Sequence, residues 1–315
     1  MKKIFITGGS GTVGSIFIEQ NIDKYKIISY CRNEKSQVAL KREFPDVDII
    51  LGSVEDKLNL EGSVLKEKPD IIIHSAAMKH VDSAEKQPME MVKSNIIGSK
   101  NIIDVSTKLN IPVTIGISTD KACNPNNLYG YSKLIMERMF LQANNDRNIF
   151  SCTRFGNVAG SNGSVIPFWL NCEKKGKPLP LTDDTMTRLM LDGKEVSSII
   201  EKCINESEKN RGGFVLTKKM KMVRLKKLAK KISTNIKIVG KRPGEELYEN
   251  LVSKRELKYT LTEDDYIYIL KDENKVSKSR LNESFSSNNA AEMNSSEIDN
   301  LIDYVKQRML NTMSY

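Results

Sequence analysis

Histidine and tryptophan are scarce in this chain, limited to His74, His80 and Trp169, and cysteine occurs only as an odd set of five. The two histidines stand apart from other ligand types, which argues against a zinc centre. Cys31, Cys123, Cys152, Cys172 and Cys203 contain no C-x-x-C pair. They fit reduced thiols in a cytoplasmic protein, not a disulfide framework. No apolar run approaches the roughly 20 residues needed to span a bilayer. The opening MKKIFITGG begins like a signal peptide, but glycines interrupt it before an apolar region can form. A soluble, cytoplasmic protein with no membrane partner is expected.

Negative charge is also in deficit: 49 Lys and Arg face 40 Asp and Glu, a net charge of +9. The segment KKMKMVRLKKLAKK (218–231) concentrates eight of the cations. Met222, Leu225, Ala229 and Ile232 recur there near helical spacing, which predicts an amphipathic helix with its lysines on a solvated face. Aromatic residues for base stacking are missing from it, so no nucleic-acid partner is expected. A basic balance instead suits a protein that gathers anionic nucleotides.

What the chain does have is a rhythm. Short β-rich runs appear at 3–7, 26–30, 47–51, 70–74, 113–117 and 149–153, with helical patterns between them, for example over 85–108 and 128–145. The runs are apolar at nearly every position, as strands covered on both faces must be. This predicts an α/β fold, a Rossmann-like doubly wound parallel sheet. The rhythm breaks after residue 154. Residues 1–155 read as a dinucleotide-binding domain, with part of 185–217 returning to it, and 156–315 mainly as a smaller C-terminal substrate-binding lobe. The polar stretch 277–297 reads as an irregular surface loop. A closing helix follows, with Ser296 and Asp299 as a capping box and a stripe of Ile298, Leu301, Ile302, Val305 and Met309.

TGGSGTVG follows the first strand directly and opens a helix. Gly8, Gly11 and Gly14 permit a sharp turn, close approach of a pyrophosphate and tight helix–strand packing at a helix N-terminus. Thr12, which opens that helix, and Ala76, beyond the fourth strand, join them as cofactor-binding candidates. The end of the second strand reads Tyr30-Cys31-Arg32-Asn33, without the acid that usually accepts the ribose hydroxyls of NAD. Arg32 suits a 2′-phosphate, so NADP is the expected cofactor.

STDKACNPNNLYGYSK (118–133) follows the fifth strand and enters a helix. Tyr129 and Lys133 lie one turn apart on one face, where the ammonium can lower the tyrosine pKa and hold the nicotinamide ribose. With this segment the chain resembles the extended short-chain dehydrogenases, and within them the inverting UDP-N-acetylglucosamine 4,6-dehydratases. The similar strings are HSAAMKHVDSAEKQP (74–88), SNIIGSKN (94–101), STDKACNPNNLYGYSK (118–133), RFGNVAGSNGSVIPF (154–168), LTDDTMTR (181–188) and GKRPGEELYE (240–249). They run in the family's order and extend the resemblance over roughly 1–270. The resemblance implies dehydration of a UDP-sugar to a 4-keto-6-deoxy product for polysaccharide or glycan biosynthesis, in a homo-oligomer, dimer or hexamer.

It also assigns roles. Hydride leaves carbon 4 while Tyr129 takes the hydroxyl proton, and it returns to carbon 6. Between these steps Lys121 removes the carbon 5 proton and Asp120 protonates the departing hydroxyl, beside Thr119. A base needs a depressed lysine pKa and an acid a raised aspartate pKa. Lys79, Asn157, Arg188, Arg242 and Glu245 are substrate-binding candidates, with Arg188 and Arg242 directed at the diphosphate. His80 and Asn95 read as packing or backbone-holding residues. Ser53, Asn162, Glu246 and Tyr248 depart from the family pattern, which bears on nucleotide and sugar recognition. A 4-epimerase on the same fold has no need of the Asp120–Lys121 pair. A non-catalytic NADP sensor has no need of Tyr129 and Lys133.

Overall fold

Continuous apolar runs of strand length, alternating with capped helices, set the first half of the chain. The computed structural model describes residues 1–161, 163–241, 245–272 and 280–313. In order come β1 (Lys3–Thr7), α1 (Thr12–Asn21), β2 (Lys26–Cys31), α2 (Glu34–Glu43), β3 (Asp48–Leu51), α3 (Lys57–Glu67) and β4 (Ile71–His74). Then follow the short α4 (Val81–Lys86) and α5 (Pro88–Met91), a π-helical stretch (Val92–Ile97), α6 (Gly98–Lys108), β5 (Val113–Ile117), α7 (Leu128–Ala143) and β6 (Ile149–Thr153). Side chains begin the helices: Asn33 caps α2, Asp56 caps α3 and Asn127 caps α7.

The second half contributes β7 (Asn157–Val158), α8 (Val165–Lys174), β8 (Leu179–Leu181), β9 (Thr187–Leu191), α9 (Gly193–Glu208), β10 (Phe214–Lys218) and β11 (Met222–Arg224). It ends with α10 (Leu225–Ile232), β12 (Ile236–Ile238), β13 (Asn250–Val252), β14 (Thr260–Glu263), β15 (Tyr266–Leu270), β16 (Phe285–Ser286) and α11 (Ser295–Met313). Nine strands form the main sheet, in the order β14-β15-β10-β6-β5-β4-β1-β2-β3. From β10 to β3 all neighbours run parallel, and the β14–β15 hairpin closes one edge antiparallel. The strand order reverses between β1 and β4, where such sheets open a crevice at their carboxyl ends.

Each sheet face carries its own apolar layer, one around Ile4, Ile6, Phe17 and Ile115, the other around Phe5, Ile72, Phe140 and Phe150. A third core, around Trp169, Leu181, Met186, Leu228 and Val305, holds the lobe together. Each such apolar side chain, fully buried, contributes about 1.5–3 kcal/mol. The closing helix brings Ile298, Leu301, Ile302 and Val305 into this third core, and Met309 packs against it.

Three local expectations are corrected. The helix read over 218–231 begins only at Leu225; Met222 lies in β11, paired with Leu189 of β9. Its cations meet acids: Lys226 pairs with Asp184, Arg224 and Lys227 with Glu292, Lys221 with Glu297, and Lys231 with Asp299. The box at the start of α11 is Asn294 with Glu297, bonded reciprocally at 2.9 and 3.0 Å, two residues earlier than Ser296 and Asp299. Within the stretch read as a loop, β16 pairs with β13, while 277–279 lie outside the described residues. Among the described residues no helix is long and apolar enough to cross a membrane.

Candidate active site

At the crevice the chain leaves β1 through Gly8, whose φ of 71° falls in the left-handed region. A Cβ there would stand 2.8 Å from the Ala76 nitrogen, and one on Gly14 would stand 2.6 Å from the Gly8 carbonyl oxygen. Gly8, Gly14 and Ala76 therefore pack the turn from behind. Gly11, Thr12 and Val13 line a cavity of about 520 Å³, together with Arg32, Lys79, His80, Thr119, Lys121, Tyr129, Lys133 and Asn157. The positive end of α1 faces it, an arrangement that favours anions. A turn too tight for side chains, a helix N-terminus and a cationic rim fit a dinucleotide.

The π-helical stretch serves this cavity. Asn95 donates to the Met78 carbonyl (2.9 Å) and accepts from the Met78 nitrogen (2.8 Å), and it also donates to Ser132 Oγ of α7 (2.9 Å). The segment carrying Lys79 and His80 is thereby tied to the helix that carries Tyr129 and Lys133. Arg32 stands at the rim, 66% exposed, 3.4 Å from Glu55, an acid that the sequence reading did not single out.

The catalytic candidates come from one turn and one helix. After β5, Thr119 Oγ1 donates to Asp120 Oδ1 (2.8 Å), and Lys121 Nζ lies 3.1 Å from the same oxygen. The Asp120 side chain is buried, and its Oδ2 has no hydrogen-bond partner among the described residues. Burial pushes the Tyr129 hydroxyl up to about 12, although the Lys121 charge opposes it, Asp120 reinforces it and a hydrogen bond with Thr119 opposes it again. Lys133, burial-depressed to about 8, donates to the Ile117 carbonyl (2.8 Å). The charge that draws the Tyr129 hydroxyl down here is that of Lys121, a partner that the four-residue spacing of Tyr129 and Lys133 did not point to.

A second correction concerns Lys121 itself, expected to be depressed. Burial does pull it down, but Asp120 and then Glu249 outweigh burial and hold it above the ordinary lysine value. Glu249 Oε1 is 3.6 Å from Lys121 Nζ and 3.8 Å from Arg188 Nε. This acid lies in the RPGEELYE string just before β13 and was not singled out. Its position is visible only once the lobe folds back over the 120–122 turn.

Arg188 and Glu245 line an adjoining cavity of about 380 Å³, with Phe168, Trp169 and Leu181. Asn157 and Val158 border both cavities, so the two meet there. The Arg188 fork donates to the backbone carbonyls of Thr187 (2.8 Å), Leu247 (3.3 Å) and Glu246 (2.9 Å). Arg242 and Asn162 lie outside the described residues. Glu246 accepts from Asn126 (2.7 Å), Tyr248 is largely exposed, and Ser53 accepts through its carbonyl from Tyr30 (3.0 Å).

Comparison with known proteins agrees with this architecture. The model of the polysaccharide biosynthesis protein family matches residues 4–271. An inverting UDP-N-acetylglucosamine 4,6-dehydratase of Campylobacter jejuni subsp. jejuni serotype O:23/36 (strain 81-176) is 38% identical over 280 residues, 85% of this chain and 82% of that one. A UDP-glucose 4-epimerase of Rickettsia bellii (strain OSU 85-389) is 30% identical over 98% of both chains. The crystal structure of Pen from Bacillus thuringiensis superposes with a TM-score of 0.88 at 28% identity, covering 97% of this chain and 98% of that one. The chain belongs to the polysaccharide biosynthesis protein family, among the nucleotide-sugar enzymes of the extended short-chain dehydrogenase type.

Proposed function

We propose that the chain is an NADP-dependent UDP-N-acetylglucosamine 4,6-dehydratase that inverts carbon 5. The observation that carries this reading is the Asp120–Lys121 pair, 3.1 Å apart and beside Tyr129. An epimerase oxidises carbon 4 as well, but it needs no acid and base at carbons 5 and 6. Gly11, Thr12 and the first turn of α1 would hold the pyrophosphate of the cofactor, Arg32 its 2′-phosphate, and Tyr129 with Lys133 its nicotinamide ribose. A bound nicotinamide dinucleotide supplies a hydride acceptor that later becomes the donor.

Tyr129 acts as its phenolate, the form that the Lys121 charge beside it favours, and takes the proton of the carbon 4 hydroxyl to become a neutral tyrosine. The ketone that results acidifies carbon 5. Moving one proton from Lys121 Nζ to Asp120 Oδ1 turns their ion pair into an amine and a carboxylic acid, with no proton gained or lost. Lys121 then takes the carbon 5 proton, a carbon 5–carbon 6 double bond forms, and Asp120 protonates the departing 6-hydroxyl, which leaves as water. The elimination returns the pair to its starting charges. Lys79, Asn157, Arg188 and Glu245 flank the path a sugar nucleotide would take between the two cavities, with Arg242 as a further diphosphate partner.

The test is incubation of the purified protein with UDP-N-acetylglucosamine and, in separate samples, a catalytic amount of NADP or NAD. Mass spectrometry should find a product lighter by one water, formed faster with NADP, without accumulation of reduced cofactor. A product of unchanged mass would make it an epimerase, and stoichiometric reduced cofactor would make it a simple dehydrogenase.

A further inference from the structure

Glu249 has no part in the steps above, yet the fold fixes it firmly. Its backbone nitrogen donates to Ser287 Oγ (3.0 Å), and its carbonyl accepts from the Ser287 nitrogen (2.9 Å). Thr187 of β9 in turn donates to Ser287 Oγ (2.9 Å). The carboxylate is thus delivered from the lobe to a point 3.6 Å from Lys121 Nζ, on a side chain only 14% exposed. Four groups act on Lys121 here: Asp120 from its own turn, Glu249 from the segment before β13, Arg188 from β9, and Tyr129 from α7. Arg188 is pinned to the carbonyls of Thr187, Glu246 and Leu247, so its charge stays in place beside Glu249.

The dehydratase cycle asks two opposite things of Lys121. As an ammonium it holds Tyr129 as the phenolate that accepts the carbon 4 hydroxyl proton during oxidation; as an amine it takes the carbon 5 proton. A second carboxylate favours the first form, because converting the ion pair to its neutral form forgoes the attraction of Glu249. Resting on the dehydratase reading, we propose that Glu249 is a positioning residue that holds Lys121 in its ammonium form through the oxidation step and so delays its turn as base until carbon 5 has become acidic.

The experiment compares wild type with Glu249→Gln, using two readouts. Competitive acetylation of lysines across a pH series, read by mass spectrometry on the peptide containing Lys121, needs no substrate. Lys121 should react about tenfold faster at neutral pH in the variant, since an opposite charge this close shifts a lysine by at least that factor. In the second readout, the ascending limb of the dehydration pH profile should move to lower pH, and Glu249→Asp should return it part of the way. Unchanged Lys121 reactivity, or a profile that only drops in height, overturns the proposal. Should Glu249→Gln fail to fold, wild-type labelling decides: a Lys121 that titrates below the ordinary lysine value overturns it as well. Wild-type protein that forms no dehydrated product instead overturns the dehydratase reading and the timing role with it, while the labelling still tests the pairing of Glu249 with Lys121.

Discussion

Two clusters of buried charge flank α7, and they are built to opposite standards. In one, Arg154 spends all five of its donors: two on Glu137 (2.9 and 2.6 Å), two on Glu256 (3.1 and 2.8 Å) and one on the Leu251 carbonyl (3.0 Å). Ser118 adds a bond to Glu137 (2.6 Å), and Ser253 binds Glu256 through its nitrogen and hydroxyl, each at 2.9 Å. In the other, Lys121, Glu249, Arg188 and Glu245 sit 3.6–3.9 Å apart, and Asp120 keeps an oxygen with no partner among the described residues. A saturated network resists any change of charge, because every ion is held by several neighbours. An open one can pass a proton or accept a ligand. The first cluster joins β6, α7 and the lobe; the second stands at the cavity where chemistry is proposed.

The comparison breaks most directly at Lys121. Lys121→Ala should lower dehydration by about 100- to 10,000-fold, the usual range for loss of a general base. Its affinity for NADP should stay near that of wild type, and its melting temperature should fall less than that of Arg154→Met, since Lys121 is part-exposed and Asp120 keeps its bond from Thr119. Single-turnover product formation, calorimetry and a fluorescence titration measure the three quantities. Near-normal dehydration would remove Lys121 from the mechanism, and a large loss of stability would make the open cluster structural after all.

Arg154→Met is the converse test. It strands Glu137 and Glu256 in a dry interior, and breaking a buried ion pair in this way typically costs about 3–5 kcal/mol. Wild type should also show an acid-dependent arm. Burial pushes the Glu256 carboxyl up, but the Arg154 charge and bonds prevail and bring it from 4.5 to about 2. A carboxyl whose folded pKa is depressed stabilises the fold above its unfolded value, and that stability is lost as pH falls through the folded one. The window is therefore about pH 4.5 down to 2, and the loss is on the order of 3 kcal/mol. Urea unfolding at several pH values should show the arm in wild type and not in the variant. Equal stability of the two proteins would mean that the saturated cluster does not hold the lobe.

Which of these residues could be read from the chain alone follows from how they meet. Thr119, Asp120, Lys121, Tyr129 and Lys133 lie within one segment of a single strand–turn–helix unit, so spacing along the chain already placed them together. The parallel strands from β1 to β6 were legible for the same reason, each being a short, largely apolar run, covered on both faces except at the edge strand β3. Glu249, Glu137 and Glu256 were not, because their partners reach them only through tertiary folding. Met222 misled in the other direction: its spacing from Leu225 and Ala229 mimics a helix, and only the pairing with Leu189 draws it into a strand. The β14–β15 hairpin carried a usable signal that was passed over, in YTLTEDDYIYIL, with Asp264 at a φ of 53° in its turn. Protonation was the least legible property, since the pKa of Lys121 depends on a carboxylate delivered by the lobe.

The finest test lies where the two clusters come within one residue of each other along the chain. Ser118 donates to Glu137 in the saturated network, and its neighbour Thr119 donates to Asp120 in the open one. Ser118→Ala removes one bond to a carboxylate that keeps both of its bonds to Arg154, so the loss should be about 1.5 kcal/mol, the low end for a hydrogen bond to a charged group. Ser118 also lines the proposed cofactor cavity, but its hydroxyl is committed to Glu137. If the clusters work independently, the dehydration rate should therefore change by less than about threefold, under 1 kcal/mol, with its pH profile in place. Stability from urea unfolding and the rate from single turnovers can be taken on the same preparation. A shift of the pH profile in Ser118→Ala would show that Glu137 communicates its charge to Lys121, and the division into a closed structural cluster and an open chemical one would then give way to a single network spanning α7.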